Sequence, residues 1–207
     1  MLQLIRDRGI ERVVHFTTNI GLVGILNTGL VKSRKGLNED QYLCHILHNN
    51  CEYRKDEKWV DYISLSIQVA NKMFLSYAKQ WVHNQPFWWC ILSFSPSILT
   101  HNGVVFCTTN NSYEETVLRG EGKAGLQSLY ANVVKEKPPY QKSRTAQTPT
   151  SNPTSPQAEV LYHKSLELKH LTEIIIPSVQ QEPEFLGHLA GAQRTGLKYT
   201  IDAGAFE

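Results

Sequence analysis

Between Pro86 and Pro96 the chain reads FWWCILSFS, an unbroken apolar and aromatic run closed by proline at both ends. It is too short for a typical helix and proline cannot continue it on either side, so it is expected as a buried central strand of a sheet. A chain built around such a strand must cover it with other elements.

The rest of the sequence supplies them in mixed order. ERVVHFTTN (11–19) reads as a strand running into a helix cap, and NIGLVGILNTGL (19–30) as a short helix stopped at Gly29. WVDYISLSI (59–67) alternates as a strand, and ANKMFLSYAKQWVH (70–83) has helical spacing, with Met73, Phe74, Tyr77 and Trp81 on one side. GVVFCTT (103–109) is a further strand, and residues 113–134 mix a short helix with glycine-broken polar sequence. After residue 157 come the strands AEVLYHKS, LTEIIIPS and LKYTIDAG, with a helical stretch around EFLGHLAGAQ. Many short strands, few helices and no strict βαβ alternation predict an α+β fold with a mainly antiparallel sheet.

Residues 135–157, KEKPPYQKSRTAQTPTSNPTSPQ, contain five prolines among Ser, Thr, Lys and Arg and show no apolar period. They are expected as a long exposed loop. Loops of this length inside a compact domain tend to be functional or disordered.

Composition bounds the function classes. The 207 residues suit one domain spanning 1–207. With 41% hydrophobic and 19% charged residues the chain belongs among ordinary globular proteins. A formal charge of +2 is too small to hold nucleic acid by the whole field, so such a partner needs a local basic patch. No apolar run approaches the roughly 18 residues that span a bilayer, and the first residues lack a secretory signal pattern; the expected location is the cytoplasm. Cys44, Cys51, Cys90 and Cys107 form no CxxC pair and are expected as reduced thiols.

Four groups of residues invite a functional reading. In CHILHNNC a helix would align Cys44, His48 and Cys51, yet structural zinc sites use closer ligand pairs and a fourth ligand, so no metal is expected. His15, in VVHFTT, offers one donor and one acceptor; on spacing alone a strand-end histidine satisfied by backbone is the preferred reading. Glu159 opens an apolar strand at the lip of the long loop, where substrates meet a rigid scaffold, but charged residues on strand edges are also routine. Lys135, Lys137, Lys142 and Arg144, interleaved with Tyr140, combine phosphate attraction with a stacking surface, a recipe for single-stranded nucleic acid that a solvated loop also satisfies. Nucleotide-binding glycine motifs, a Walker lysine and a serine-hydrolase elbow are all missing.

Taken in order, VVHFTTNIGLVGILNTGL, then YISLSI and NKMFLSYAK, then QAEVLYH behind a long loop resemble the DarT family of bacterial toxins, nucleic-acid ADP-ribosyltransferases. The resemblance implies a split mixed, mainly antiparallel sheet that clamps NAD, with NAD as co-substrate. It implies that Glu159 is catalytic, that His15 hydrogen-bonds the adenosine-side ribose, that Thr17, with Asn19 nearby, meets the nicotinamide side, and that Tyr77 stacks on the nicotinamide ring. An arginine ahead of the YISLSI strand also serves the family's site; Arg54 is preferred here and Arg34 is the alternative. The loop at about 135–157 then reads the acceptor, through Tyr140, Lys142 and Arg144. The expected acceptor is single-stranded DNA, with RNA or protein as alternatives and a non-catalytic nucleotide-binding module as the contrasting class; a cognate antitoxin is the implied partner.

A carboxylate suits that chemistry. Breaking the nicotinamide glycosidic bond builds positive charge on the ribose, and a fixed anion favours that charge where it develops. The same group can accept a proton from an attacking nucleobase nitrogen.

Overall fold

The computed structural model describes residues 1–40, 43, 57–80 and 87–207. In chain order the elements are α1 (Leu2–Arg8), β1 (Val13–Thr18), α2 (Asn19–Thr28), β2 (Leu30–Lys32), α3 (Arg34–Asn38), β3 (Tyr62–Ile67), α4 (Lys72–Gln80) and β4 (Trp89–Phe94). There follow β5 (Val105–Cys107), β6 (Arg119–Glu121), α5 (Gly122–Ser128), β7 (Val133–Lys135), β8 (Gln141–Ser143), β9 (Glu159–His163), β10 (Ser165–Glu167), β11 (Leu171–Ile176), α6 (Glu182–Gly191) and β12 (Tyr199–Ile201). The segment around CHILHNNC, including Cys44, His48 and Cys51, lies outside the described residues, as does Arg54.

An eight-stranded sheet in the order β12-β11-β4-β1-β3-β9-β5-β6 organises the molecule. Every neighbouring pair is antiparallel except β11 and β12. The FWWCILSFS run supplies β4, flanked by β1 and β11. Its alternate residues face two different cores: Cys90, Leu92 and Phe94 join one cluster with Leu22, Phe106 and Phe185, while Trp89 and Ile91 join another with Val14, Leu75 and Phe206. Burial on both faces explains why the run shows no polar alternation.

The sheet is split between β1 and β3. Beta-1 pairs with β4 along its whole length, Val13 to Thr18, but with β3 only at Val13 and Val14. Beyond Val14 the two strands part, and β3 pairs instead with β9 from Tyr62 to Leu65. The cleft therefore opens between His15–Thr17 on one side and Tyr62–Leu65 on the other.

Local chemistry fixes the passage from β1 into α2. The Thr18 side chain caps α2 by accepting the Gly21 N–H at 3.1 Å. Gly29 ends that helix in the left-handed region at φ 73°, donating its N–H to the Ile25 carbonyl at 2.8 Å. Gly21 packs closely at this junction: a Cβ there would lie 2.1 Å from the Thr17 Oγ1, so a side chain at 21 would displace α2 or turn the Thr17 hydroxyl.

The tract 135–157 is more ordered than its composition predicts. It begins in a hairpin, β7 with β8, and the Arg144 side chain then donates to the carbonyls of Asn152, Pro149 and Thr150. At its far end Thr154 and Ser155 are buried, donating to the Ala131 carbonyl and to the Glu136 carboxylate, each at 2.6 Å. These polar residues are satisfied by hydrogen bonds, some within the tract and some to groups 19 and 23 residues away, which leave no apolar period in the sequence.

Candidate active site

The cleft between β1 and β3 has a volume of about 140 Å³ and is lined by His15 and Thr17 from β1, Arg34 from α3, Ser64 from β3, Phe74 from α4 and Glu159 from β9, among others. Strand pairing sets the position of Glu159: β9 pairs with β3 on the side away from β1 and with β5 on the other, and its first residue, one past the Leu65–Val160 pair, lines the cleft from beyond β3. Four residues singled out from sequence thus meet in one depression.

His15 is oriented by its neighbour across the split. Its Nδ1 lies 3.0 Å from the Ser64 carbonyl oxygen. In the neutral ring that contact requires Nδ1–H as donor and assigns the acceptor to Nε2. The backbone bond expected of a strand-end histidine is thus present, and it holds the ring at the cleft wall. Thr17 stands at a junction, lining both the cleft and a small recess formed with Gly21, Gly24 and Leu30.

Glu159 accepts a hydrogen bond on Oε1 from the Asn111 main-chain N–H at 3.1 Å. Beside it on β5, Cys107 pairs with Glu159 in register and is fully buried. Burial first, and the Glu159 charge second, push the Cys107 thiol up to about 12, against the opposing effect of Arg119. Cys90 is shifted in the same direction by burial. Neither thiol is a nucleophile at neutral pH.

The aromatic wall differs from expectation. Tyr77 is half exposed and does not line the cleft; Phe74, one helical turn earlier, does. Phe74 packs at 5.7 Å, centroid to centroid, on Phe16, which meets Trp89 at the same distance. The spacing in ANKMFLSY marks both Phe74 and Tyr77 as one face and does not by itself choose which of them reaches in. Tyr77 stays within electrostatic reach of Tyr113, whose hydroxyl is raised above its ordinary range by burial first and by Glu136 next.

Asn19 is not among the lining residues. Its amide nitrogen donates to Glu184 of α6 at 2.8 Å, and the Trp88 indole donates to the same carboxylate at 2.9 Å. Those bonds, that from Asn19 above all, hold the Glu184 carboxyl below its usual range. Asn19 thereby ties α2 to α6 as a structural residue.

A groove of about 510 Å³ adjoins the cleft and shares Ser66 and Asn71 with it. One wall carries Val69 and Met73, partly exposed; the other is the tract from Lys142 to Ala158. Of the three loop residues singled out from sequence, Lys142 lines this groove. Tyr140 is exposed and does not line it, and Arg144 is engaged with loop carbonyls and lies 5.4 Å from the Tyr130 ring centroid. Among the described residues no group of three His, Cys, Asp or Glu side chains converges as a metal site, and no helix is long and apolar enough to cross a membrane.

Comparison with known proteins agrees with this geometry. A family model described as ssDNA thymidine ADP-ribosyltransferase, DarT, matches residues 14–206. No curated protein matches the chain. Among solved structures, DarT of Thermus sp. 2.9 in complex with NAD+ is similar at 17% identity and TM-score 0.63, covering 95% of this chain and 98% of that one. The same Thermus protein in complex with ADP-ribosylated ssDNA gives 17% identity and TM-score 0.61, covering 96% and 97%. Thermosipho africanus DarTG in complex with ADP-ribose gives 11% identity and TM-score 0.58, covering 95% of this chain and 51% of that one.

Proposed function

The chain belongs to the DarT family of single-stranded-DNA thymidine ADP-ribosyltransferases, and on that premise we propose that it moves ADP-ribose from NAD to a thymine base with Glu159 as the catalytic carboxylate. The observation that carries the assignment is the meeting of Glu159 with His15, Thr17 and Arg34 in the cleft beside which β1 and β3 part.

In this reading NAD lies in the cleft. His15, held by the Ser64 carbonyl, accepts from a ribose hydroxyl through Nε2, and Thr17 meets the nicotinamide side. Phe74, in place of Tyr77, supplies the aromatic face for the nicotinamide ring. Arg34 is the cation assigned to the diphosphate, because it lines the cleft.

The reaction then follows from the charge it develops. The bond between the ribose C1′ and nicotinamide breaks with its electron pair going to the nicotinamide nitrogen, leaving oxocarbenium character on the sugar. Glu159, fixed through Oε1, stabilises that charge and binds the 2′-hydroxyl. In a DNA strand thymine has one ring N–H, at N3, because N1 carries the deoxyribose; N3 attacks C1′ while its proton passes to the Glu159 carboxylate and then to solvent. The products are nicotinamide and a base carrying ADP-ribose.

The acceptor strand is assigned to the adjoining groove, which meets the cleft at Ser66 and Asn71. There Lys142 neutralises a phosphate and Val69 and Met73 give bases an apolar surface. Such an activity acts as a toxin in the cell that makes it, so an antitoxin that removes ADP-ribose or covers the cleft is the expected partner. Incubation with labelled NAD and single-stranded DNA, duplex DNA, RNA or protein tests the assignment. Label should enter thymine-containing single strands; labelling of protein or RNA alone would sink it.

A further inference from the structure

Resting on the reading of Glu159 as the catalytic carboxylate, we infer that Arg119 and Asn111 are positioning residues that set this carboxylate through the turn after β5. The register places Glu159, Cys107 and Arg119 side by side on β9, β5 and β6. Adjacent strands lie about 4.8 Å apart, so Arg119 starts roughly 10 Å from Glu159, and neither Arg119 nor Asn111 lines the cleft or the groove. Their influence on the reaction therefore passes through other protein atoms.

The connecting piece is Asn111, which is 1% exposed. Its main-chain N–H donates to Glu159 Oε1 at 3.1 Å. The Arg119 guanidinium holds it from the other side: Nε donates to Asn111 Oδ1 and Nη2 to the Asn111 carbonyl, each at 2.8 Å. The same guanidinium is oriented by Glu114, at 3.0 and 3.2 Å, and lies 5.1 Å from the Trp59 ring centroid. Trp59 in turn packs at 5.1 Å on Tyr62, which lines the cleft.

This is a fork with two prongs on one residue, one on its side chain and one on its main chain. Lysine cannot reproduce it. Among the described residues the buried Asn111 side-chain nitrogen finds no hydrogen-bond partner, so its contacts are made by its oxygen atoms and its main-chain N–H. Releasing the fork lets the turn relax, and with it the donor that fixes Glu159. A displacement of about 1 Å at a catalytic group costs on the order of 100-fold in rate.

Arg119→Ala, Arg119→Lys and Glu159→Gln are compared with the wild type in steady-state transfer of ADP-ribose to a single-stranded oligonucleotide, with NAD-binding stoichiometry from calorimetry. For Arg119→Ala the expected result is a kcat lowered on the order of 100-fold, KM for NAD and for the oligonucleotide within about twofold of wild type, and full NAD stoichiometry. Added methylguanidinium restores at least about tenfold of that loss and leaves wild type and Glu159→Gln unchanged. Arg119→Lys, which keeps the charge without the fork, shows the same split to a smaller degree, and it replaces Arg119→Ala if the alanine variant does not fold. A kcat at the wild-type level in both Arg119 variants, with Glu159→Gln inactive, overturns the positioning role and leaves Glu159 catalytic. Loss of activity together with NAD stoichiometry, unrescued by methylguanidinium, reduces Arg119 to a structural residue. An active Glu159→Gln removes the premise itself.

Discussion

Replacing Gly21 by alanine should loosen the cleft from behind. In an exposed helix interior that change stabilises by about 1 kcal/mol, because alanine is the better helix former. Here the new Cβ would meet the Thr17 Oγ1 at 2.1 Å, and even the shortest contacts that real Cβ atoms show require about 3.0 Å. Beta-1 and α2 must therefore separate by about 0.9 Å or more, or Thr17 must change rotamer; forcing a methyl group into a packed site costs about 1–3 kcal/mol. The net expectation is a loss of up to about 2 kcal/mol, read as a fall in Tm of up to about 8 °C for a chain of this size. Because Thr17 lines the cleft, KM for NAD should rise about tenfold, the equivalent of one lost hydrogen bond. Thermal unfolding and steady-state kinetics measure the two effects on one preparation. Thr17→Ala combined with Gly21→Ala removes the colliding oxygen and should recover most of the lost Tm but not the KM, a non-additivity diagnostic of direct contact. If Gly21→Ala melts at or above the wild-type temperature with unchanged KM, the close approach of α2 does not set the cleft wall.

Two further outcomes concern the groove and the buried thiols. Lys142→Ala should weaken binding of single-stranded oligonucleotides with little change in NAD affinity, and should reduce the slope of log affinity against log salt by about 0.7, one phosphate contact on a single strand; an unchanged slope removes Lys142 from the acceptor path. Burial raises the thiols of Cys90 and Cys107, the latter to about 12, so both stay protonated in the folded chain while the unfolded thiols ionise above about pH 8.5. The unfolded state then binds fewer protons than the native one, and stability falls as pH rises above that point, by at most about 1.4 kcal/mol per pH unit for each thiol. Denaturant melts from pH 8 to 10 measure this, and serine in place of both cysteines should flatten the decline.

The fold is most legible where one residue type has one physical use. The proline-bounded run at 87–95 is apolar but for Ser93 and Ser95 because β4 is covered on both faces, and Gly29 stops α2 because it takes a left-handed backbone angle. Legibility fails where structure is held by polar hydrogen bonds rather than by apolar packing. The tract 135–157 has no apolar period, yet Arg144, Thr154 and Ser155 pin it through carbonyls and a carboxylate. Arg144 reads from sequence as a substrate contact because charge and aromatic neighbours look the same whether a guanidinium faces a phosphate or its own loop.

The site divides along the same line. Glu159, His15 and Thr17 stand on strands whose alternation and order place them, and they meet. Asn19 follows Thr17 closely in sequence but begins α2, and the turn into the helix commits its amide to Glu184. Phe74 and Tyr77 share a helical face, so periodicity alone cannot choose between them. Asn111 and Arg119 leave no sequence signal: one sits in a polar turn and the other on a three-residue strand, and their connection exists only through the register of β5, β6 and β9.

The central claim is that the Glu159 charge drives transfer from NAD to DNA. Its most direct test is mass analysis of a thymine-containing single strand after reaction with Glu159→Gln, under conditions where NAD binding to wild type and variant has been matched by calorimetry. The glutamine keeps the size of the side chain and one acceptor oxygen, and removes the charge together with the capacity to take a proton. The expected result is NAD affinity within a few-fold of wild type and ADP-ribosylated thymidine formed at least about 100-fold more slowly. Modified thymidine appearing at the wild-type rate would contradict the claim.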